Sequence, residues 1–172
     1  MDTWILLGMM GSGKSAVGRH LAEMSGREFV DTDRLIERRF GRSVTQVFSI
    51  YGESCFRDHE TSVLESLEPA AAVLSTGGGC ILRAENWDQF HRLGPTLYLR
   101  ASAEVLIERL QVSRRKRPLL MRDDWEGALR DILSARTHLY EQADFCIDVT
   151  QGEIAEIADE AHRLFASWRR TT

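Results

Sequence analysis

Short apolar stretches alternate along the chain with longer amphipathic ones. Trp4–Leu7, Glu28–Val30, Ala72–Ser75, Thr96–Leu99 and Phe145–Val149 are bounded by Gly or polar residues and are largely apolar on both faces. That pattern predicts strands of a parallel sheet covered by helices on both sides. Between them the spacing predicts helices over Ser15–Met24, Asp33–Phe40, Val44–Tyr51, Phe56–Leu67, Glu85–Phe90, Ala103–Leu110, Trp125–Gln142 and Ile154–Trp168. Ser43-Val44-Thr45-Gln46 matches a capping box and sets a helix start. Asp124 is placed to cap the long helix after it, and Gly26 and Gly41 are placed as helix stops. Strands and helices in alternation predict a doubly wound α/β domain.

At 172 residues the chain fits one compact core. A composition 43% hydrophobic and 28% charged is that of a globular protein and argues against disorder. The net charge of -4 provides no global attraction for nucleic acid or acidic membranes. An anionic ligand must therefore be held by a local basic cluster. Cys55, Cys80 and Cys146 are odd in number, widely spaced and without a CxxC pair, which reads as three free thiols rather than a disulfide or zinc framework. The five histidines are scattered and form no HxxxH-type pair. Met1–Leu7 lacks a basic n-region and runs straight into a glycine loop, so it reads as a buried strand and not a signal peptide. No apolar run approaches the ~20 residues that span a bilayer. The expected setting is the cytoplasm, without membrane or nucleic-acid partners.

Gly8-Met9-Met10-Gly11-Ser12-Gly13-Lys14-Ser15 fits G-x-x-x-x-G-K-[ST] at every defined position, with a strand before it and an amphipathic helix after it. Glycines let such a loop turn its backbone N–H groups inward around phosphates. Lys14 carries charge toward the β- and γ-phosphates, the Ser15 hydroxyl suits Mg²⁺, and the following helix presents its positive end to the same anion. No N-K-x-D guanine signature occurs, which argues against a GTPase. The chain is also short for a motor ATPase.

Phe29-Val30-Asp31-Thr32-Asp33 places two carboxylates at the carboxyl end of the second strand, the edge where open α/β sheets bind ligands. One could hold Mg²⁺ through water and the other could accept a proton from an attacking hydroxyl. Spacing alone fits equally a helix N-cap with a solvated neighbour. Ser75-Thr76-Gly77-Gly78-Gly79-Cys80 follows the third strand at the same edge. Three consecutive glycines suit main chain pressed closely against a ligand, or a merely flexible turn. Arg57 and Arg136 lie in predicted helices, and position alone does not distinguish them from solvated arginines.

Taken together, these pieces resemble the shikimate kinase family. The matching set is Gly8–Ser15, Phe29-Val30-Asp31-Thr32-Asp33, Gly52-Glu53 with Phe56-Arg57, Ser75-Thr76-Gly77-Gly78-Gly79, Arg117-Pro118-Leu119-Leu120, and Arg136 with Tyr140, in the family's order. Only the phosphate loop is specific by itself; the set covers essentially the whole chain. Cys55 stands where a small or acidic residue would be expected. The resemblance implies a three-layer, five-stranded parallel sheet of the P-loop nucleoside monophosphate kinase type, in a single domain over 1–172. It adds a substrate-binding subdomain about 33–61 and a lid about 112–124.

The implied reaction moves the γ-phosphoryl group of ATP to the 3-hydroxyl of shikimate, with Mg²⁺ as cofactor, in a monomer serving chorismate biosynthesis. By the same resemblance Gly11, Ser12, Gly13, Lys14, Ser15 and Ala16 cradle the nucleotide. Arg109 stacks on adenine, and Gln151 after the last strand contacts it. Ser15 ligates Mg²⁺ and Asp31 supports it through water. Asp33 contacts the ring hydroxyls and is the candidate base. Arg57 and Arg136 clamp the acceptor's carboxylate, the backbone of Gly78 and Gly79 closes over it, and Arg117 swings in from the lid with Lys14 onto the transferring phosphate. An acid with three hydroxyls needs such a set, and the planar fork of arginine suits a carboxylate better than lysine does. The basic run Ser113-Arg114-Arg115-Lys116-Arg117 then reads as part of a lid that excludes water. A kinase of another hydroxy acid such as gluconate, and a silent nucleotide-binding module, are the alternatives; intact Lys14, Asp33 and arginines speak against the second.

Overall fold

A computed structural model describes residues 1–111 and 117–169. Five strands, β1 (Trp4–Leu7), β2 (Glu28–Asp31), β3 (Ala72–Ser75), β4 (Thr96–Arg100) and β5 (Phe145–Asp148), form one sheet in the order β2-β3-β1-β4-β5. Every pairing is parallel, and Ile5 of the central strand lies between Leu74 and Thr96. The helices are α1 (Lys14–Ser25), α2 (Thr32–Phe40), α3 (Val44–Ser66), α4 (Ala84–Leu93), α5 (Ala103–Leu110), α6 (Trp125–Tyr140) and α7 (Ile154–Ser167). From β1 the chain crosses to one edge of the sheet, and from β3 it steps back over β1 to reach β4. With right-handed crossovers, that reversal puts α1 on one face and the later connecting helices on the other. Helix α7 packs on α1 and completes its layer. The reversal also opens a crevice at the carboxyl ends of β1, β2 and β3.

The central strands bury their residues on both faces, as their apolar runs predict. The edge strands β2 and β5 are only partly covered, because each has a neighbour on one side alone. The main core fills the space between the sheet and its helices. A second, smaller core of Ile36, Val47, Phe56 and Val63 joins α2 to α3 and gives the segment after β2 its own packing.

Two predicted helices, Val44–Tyr51 and Phe56–Leu67, run together as α3. Gly52 alone leaves helical geometry between them, at φ 83° and ψ 170°. The Glu53–Arg57 pair, 3.1 Å apart and one turn along, helps keep the linking residues helical. Gly26 and Gly41 end α1 and α2 in left-handed conformation, and Asp124 caps α6, as the sequence predicts. The Ser43 box is present with both bonds: Ser43 Oγ accepts from Gln46 N at 3.3 Å and Gln46 Oε1 accepts from Ser43 N at 3.1 Å. Among the described residues, no helix is long and apolar enough to cross a membrane.

Because α3 hangs on that cap, Ser43→Ala is expected to destabilise the protein by about 1 kcal/mol. For a chain of this size the corresponding fall in Tm is roughly 2–4 °C, measurable by calorimetry.

Candidate active site

The loop between β1 and α1 bends as its glycines permit. Gly11 and Gly13 hold φ at 81° and 93°, and a Cβ on Gly11 would come 2.9 Å from Leu110 Cγ. Ser12 N donates to Met9 O at 3.1 Å and closes the turn. Lys14 is buried, and its ammonium donates to Gly8 O at 2.7 Å and Met9 O at 2.9 Å. Burial lowers its pKa to about 8, against the opposing pull of Asp33. It is still largely protonated at neutral pH.

At the end of β2 the N-cap reading of the carboxylate pair holds for Asp31 and fails for its neighbour. Asp31 is a helix N-cap: its Oδ1 accepts from Asp33 N at 3.0 Å and Arg34 N at 3.4 Å. Its other oxygen, Oδ2, accepts from Ser15 Oγ at 3.1 Å and so ties β2 to the phosphate loop. Asp33 is not the solvated neighbour that the N-cap reading would give. Its Oδ1 is shut off from solvent and has no hydrogen-bond partner. Burial above all, then the charges of Asp31 and Glu60, raise its pKa to about 7, with Lys14 and Arg117 pulling the other way.

Next to it, the triple glycine has a reason visible only in three dimensions. A Cβ on Gly77 would meet Glu60 Oε1 at 2.6 Å and Asp33 Oδ1 at 2.9 Å, and a Cβ on Gly79 would fall inside the Arg57 guanidinium. The loop is therefore backbone pressed against the protein's own charged side chains. Gly78 O accepts from Tyr140 Oη at 2.5 Å and Arg136 Nη1 at 3.3 Å, and Gly77 N donates to Thr32 Oγ1 at 3.0 Å. Tyr140 is itself fully buried and stacked on Tyr98, with ring centres 4.9 Å apart. Sequence reasoning missed this supporting role, although Tyr140 stood beside Arg136.

Glu60 was also missed. It is completely buried, and its Oε2 accepts from Arg57 Nη1 at 2.6 Å. Arg57 donates through Nη2 to Glu53, while its buried Nε has no partner. The i,i+3 spacing from Arg57 was the available signal, but such pairs are common on exposed helix faces. Arg57 is raised in pKa through Glu60 against the effect of its own burial, and stays charged.

These residues line two adjoining clefts. One, of about 470 Å³, takes Asp33, Arg57, Arg136, Gly78, Gly79 and Arg117 in its wall, with Phe48 and Phe56 on the apolar side. The other, of about 310 Å³, takes Gly11, Gly13, Lys14, Ser15, Ala16, Asp31 and Arg109. Met10, Asp33, Gly77, Gly78 and Arg117 belong to both. Arg109 donates to Ser12 O at 3.4 Å and Val149 O at 3.0 Å, spanning from the loop to the end of β5. Ser12 is buried beneath the loop and lines neither cleft; Gln151 lies in an exposed turn outside both. Of the expected lid, residues 112–116, including Arg114, Arg115 and Lys116, lie outside the described residues; Pro118–Leu120 forms a short 3₁₀ turn with Leu120 buried. Among the described residues, no group of three or more His, Cys, Asp or Glu side chains is arranged to hold a metal ion.

The family model described as shikimate kinase matches residues 10–165. The chain belongs to the shikimate kinase family. A shikimate kinase of Thermodesulfovibrio yellowstonii is 41% identical over 95% of this chain and 97% of its own length. The solved structure of an Acinetobacter baumannii shikimate kinase in complex with shikimate superposes with a TM-score of 0.92. It is 40% identical and covers 97% of this chain and 94% of its own. A gluconokinase from Sinorhizobium meliloti, 21% identical, covers 96% of this chain and 91% of its own with a TM-score of 0.59, and so shares the fold alone.

The raised pKa of Asp33 has a signed consequence for stability. Between about 4 and about 7 the folded chain holds a proton that the unfolded chain has released, so this group's contribution falls as pH rises through that window and is level above it. Asp33→Asn removes the dependence. Denaturant unfolding is expected to show the Asn variant gaining on the parent protein from pH 4 to pH 7, with no further gain at pH 8.

Proposed function

We propose that the chain transfers the γ-phosphoryl group of ATP to the 3-hydroxyl of shikimate, giving shikimate 3-phosphate and ADP on the cytoplasmic route to chorismate. The observation that carries this reading is the shared wall: Asp33 faces both clefts, with Arg57 and Arg136 beyond it on one side and Lys14 on the other.

In the larger cleft, Arg57 and Arg136 supply the planar donors that a carboxylate accepts in pairs. Phe48 and Phe56 offer an apolar wall to a ring. The carbonyl of Gly78 is already engaged by Arg136 and Tyr140, so the glycine loop that closes this cleft is held firmly. Asp33 then meets the acceptor's hydroxyls. A carboxylate with a pKa near 7 suits a general base working at neutral pH better than an ordinary one would.

In the smaller cleft, the loop glycines and the N-terminus of α1 suit a polyphosphate, and Lys14 is placed to leave the loop carbonyls for its β- and γ-oxygens. Arg109 at the far end suits an adenine face. Ser15 Oγ and Asp31 Oδ2 are hard oxygen donors 3.1 Å apart, which fits Mg²⁺ held by Ser15 directly and Asp31 through water. When bound, the ion neutralises charge on the phosphates. Arg117, bordering both clefts, would add positive charge where the phosphoryl group passes. Phosphoryl transfer asks mainly for such positioning and neutralisation.

An ADP-release assay tests the reading. Turnover is expected to depend on shikimate and to be slow with ATP alone or with gluconate; a preferred acceptor other than shikimate overturns it. Arg136→Ala removes a charge-assisted contact worth about 1.5–3 kcal/mol. The expected loss is about ten- to a hundredfold in kcat/KM for shikimate, and unchanged shikimate kinetics would refute the role of this arginine.

A further inference from the structure

Cys80, the first residue after the glycine run, is completely buried in the 3₁₀ turn Cys80–Leu82. Its Sγ donates to Glu60 Oε1 at 3.2 Å, a bond joining residues 20 apart in sequence. Glu60 has no exposed surface, so water does not reach either oxygen. Arg57 takes Oε2 and the thiol takes Oε1. The point 2.6 Å from Glu60 Oε1 that a Cβ on Gly77 would occupy is also 2.9 Å from Asp33 Oδ1. Two carboxylates thus approach each other across a glycine, and the thiol is the donor on the oxygen that faces the other acid.

We propose that Cys80 is a positioning residue of the acceptor cleft: its thiol fixes the rotation of the Glu60 carboxylate and, through it, the guanidinium of Arg57. With the thiol bonded to Oε1, the carboxylate is turned so that Oε2 meets Arg57 Nη1, while Glu53 takes Nη2. The guanidinium of Arg57, which lines the cleft, is then held at one orientation. Burial first, and the neighbouring Glu60 and Asp33 charges next, hold the thiol's pKa well above the ordinary value, so it stays a neutral donor. The charged groups around Glu60 are Arg57 on its own helix and Asp33 on α2, with Lys14 and Arg117 beyond Asp33. The turn does not need the thiol for its backbone: Cys80 N donates to Gly77 O at 3.1 Å, and Asn86 Nδ2 donates to Cys80 O at 2.7 Å. The effect of Cys80 on the cleft rests on the reading of shikimate as acceptor; its hold on Glu60 does not.

Steady-state kinetics of the parent protein, Cys80→Ala and Cys80→Ser, with ATP and shikimate varied separately, test the first part. Cys80→Ala is expected to raise KM for shikimate about three- to tenfold, the scale of one hydrogen bond, with KM for ATP unchanged within about twofold. Cys80→Ser, which restores a donor, is expected to return the shikimate KM to within about twofold of the parent. An unaltered Ala variant, a Ser variant no better than Ala, or an equal rise in both KM values each overturns the proposal. Denaturant unfolding of the same three proteins needs no acceptor. Cys80→Ala leaves Glu60 Oε1 without its buried donor and is expected to unfold at lower denaturant than the parent, and Cys80→Ser, which restores a donor, is expected to recover part of that loss. An Ala variant as stable as the parent, or a Ser variant no more stable than Ala, overturns the hold on Glu60. Absence of shikimate-dependent turnover in the parent protein counts against the acceptor reading alone.

Discussion

Charge buried under backbone is the constraint on which the rest of this structure depends. Lys14, Arg57, Glu60 and Arg136 are all withdrawn from water at one edge of the sheet, with the inner oxygen of Asp33 among them. An isolated ion in such surroundings is strongly unfavourable. Each is tolerated because another charge, a carbonyl or a thiol lies against it. The sheet order creates the place, since the reversal at β1 lets loops from β1, β2 and β3 meet. The glycines remove the side chains that would otherwise fill it. Folding and the proposed chemistry are therefore joined: the charged groups proposed to act in the crevice also have to be neutralised for the crevice to form.

The proton affinities on the two sides of the shared wall are drawn together by the same burial. Desolvation raises Asp33 and lowers Lys14, leaving them at about 7 and about 8. In water a carboxylic acid and an amine lie several units apart. Nearly matched groups can exchange roles with small changes in their surroundings, which is what a site must allow when a proton leaves a hydroxyl as a phosphoryl group arrives.

How much of this was readable in the residues depended on sequence distance. The strands, the cap at Ser43, the stops at Gly26 and Gly41 and the phosphate loop are local patterns, and the chain adopts them nearly residue for residue. Asp31 and Asp33 were legible as a pair and were given separate roles only by family likeness; which of them caps α2 and which is buried was not legible. That division rests on the Ser15 hydroxyl, 16 residues away, and on Glu60 across the Gly77 backbone. Glu60, Cys80 and Tyr140 matter through contacts spanning 20 and 62 residues, which no periodicity encodes. Arg57 and Arg136 were singled out only by family likeness, because a buried arginine and a solvated one look alike on a helical wheel.

The space beside Gly79 is taken by the guanidinium of Arg57. Neither residue can then drift independently through evolution: a methyl group at 79 would evict the arginine, and losing the arginine would leave a void that a larger residue at 79 could fill. Descendants of this chain should change the two positions as one heritable unit or leave both alone, although 22 residues separate them.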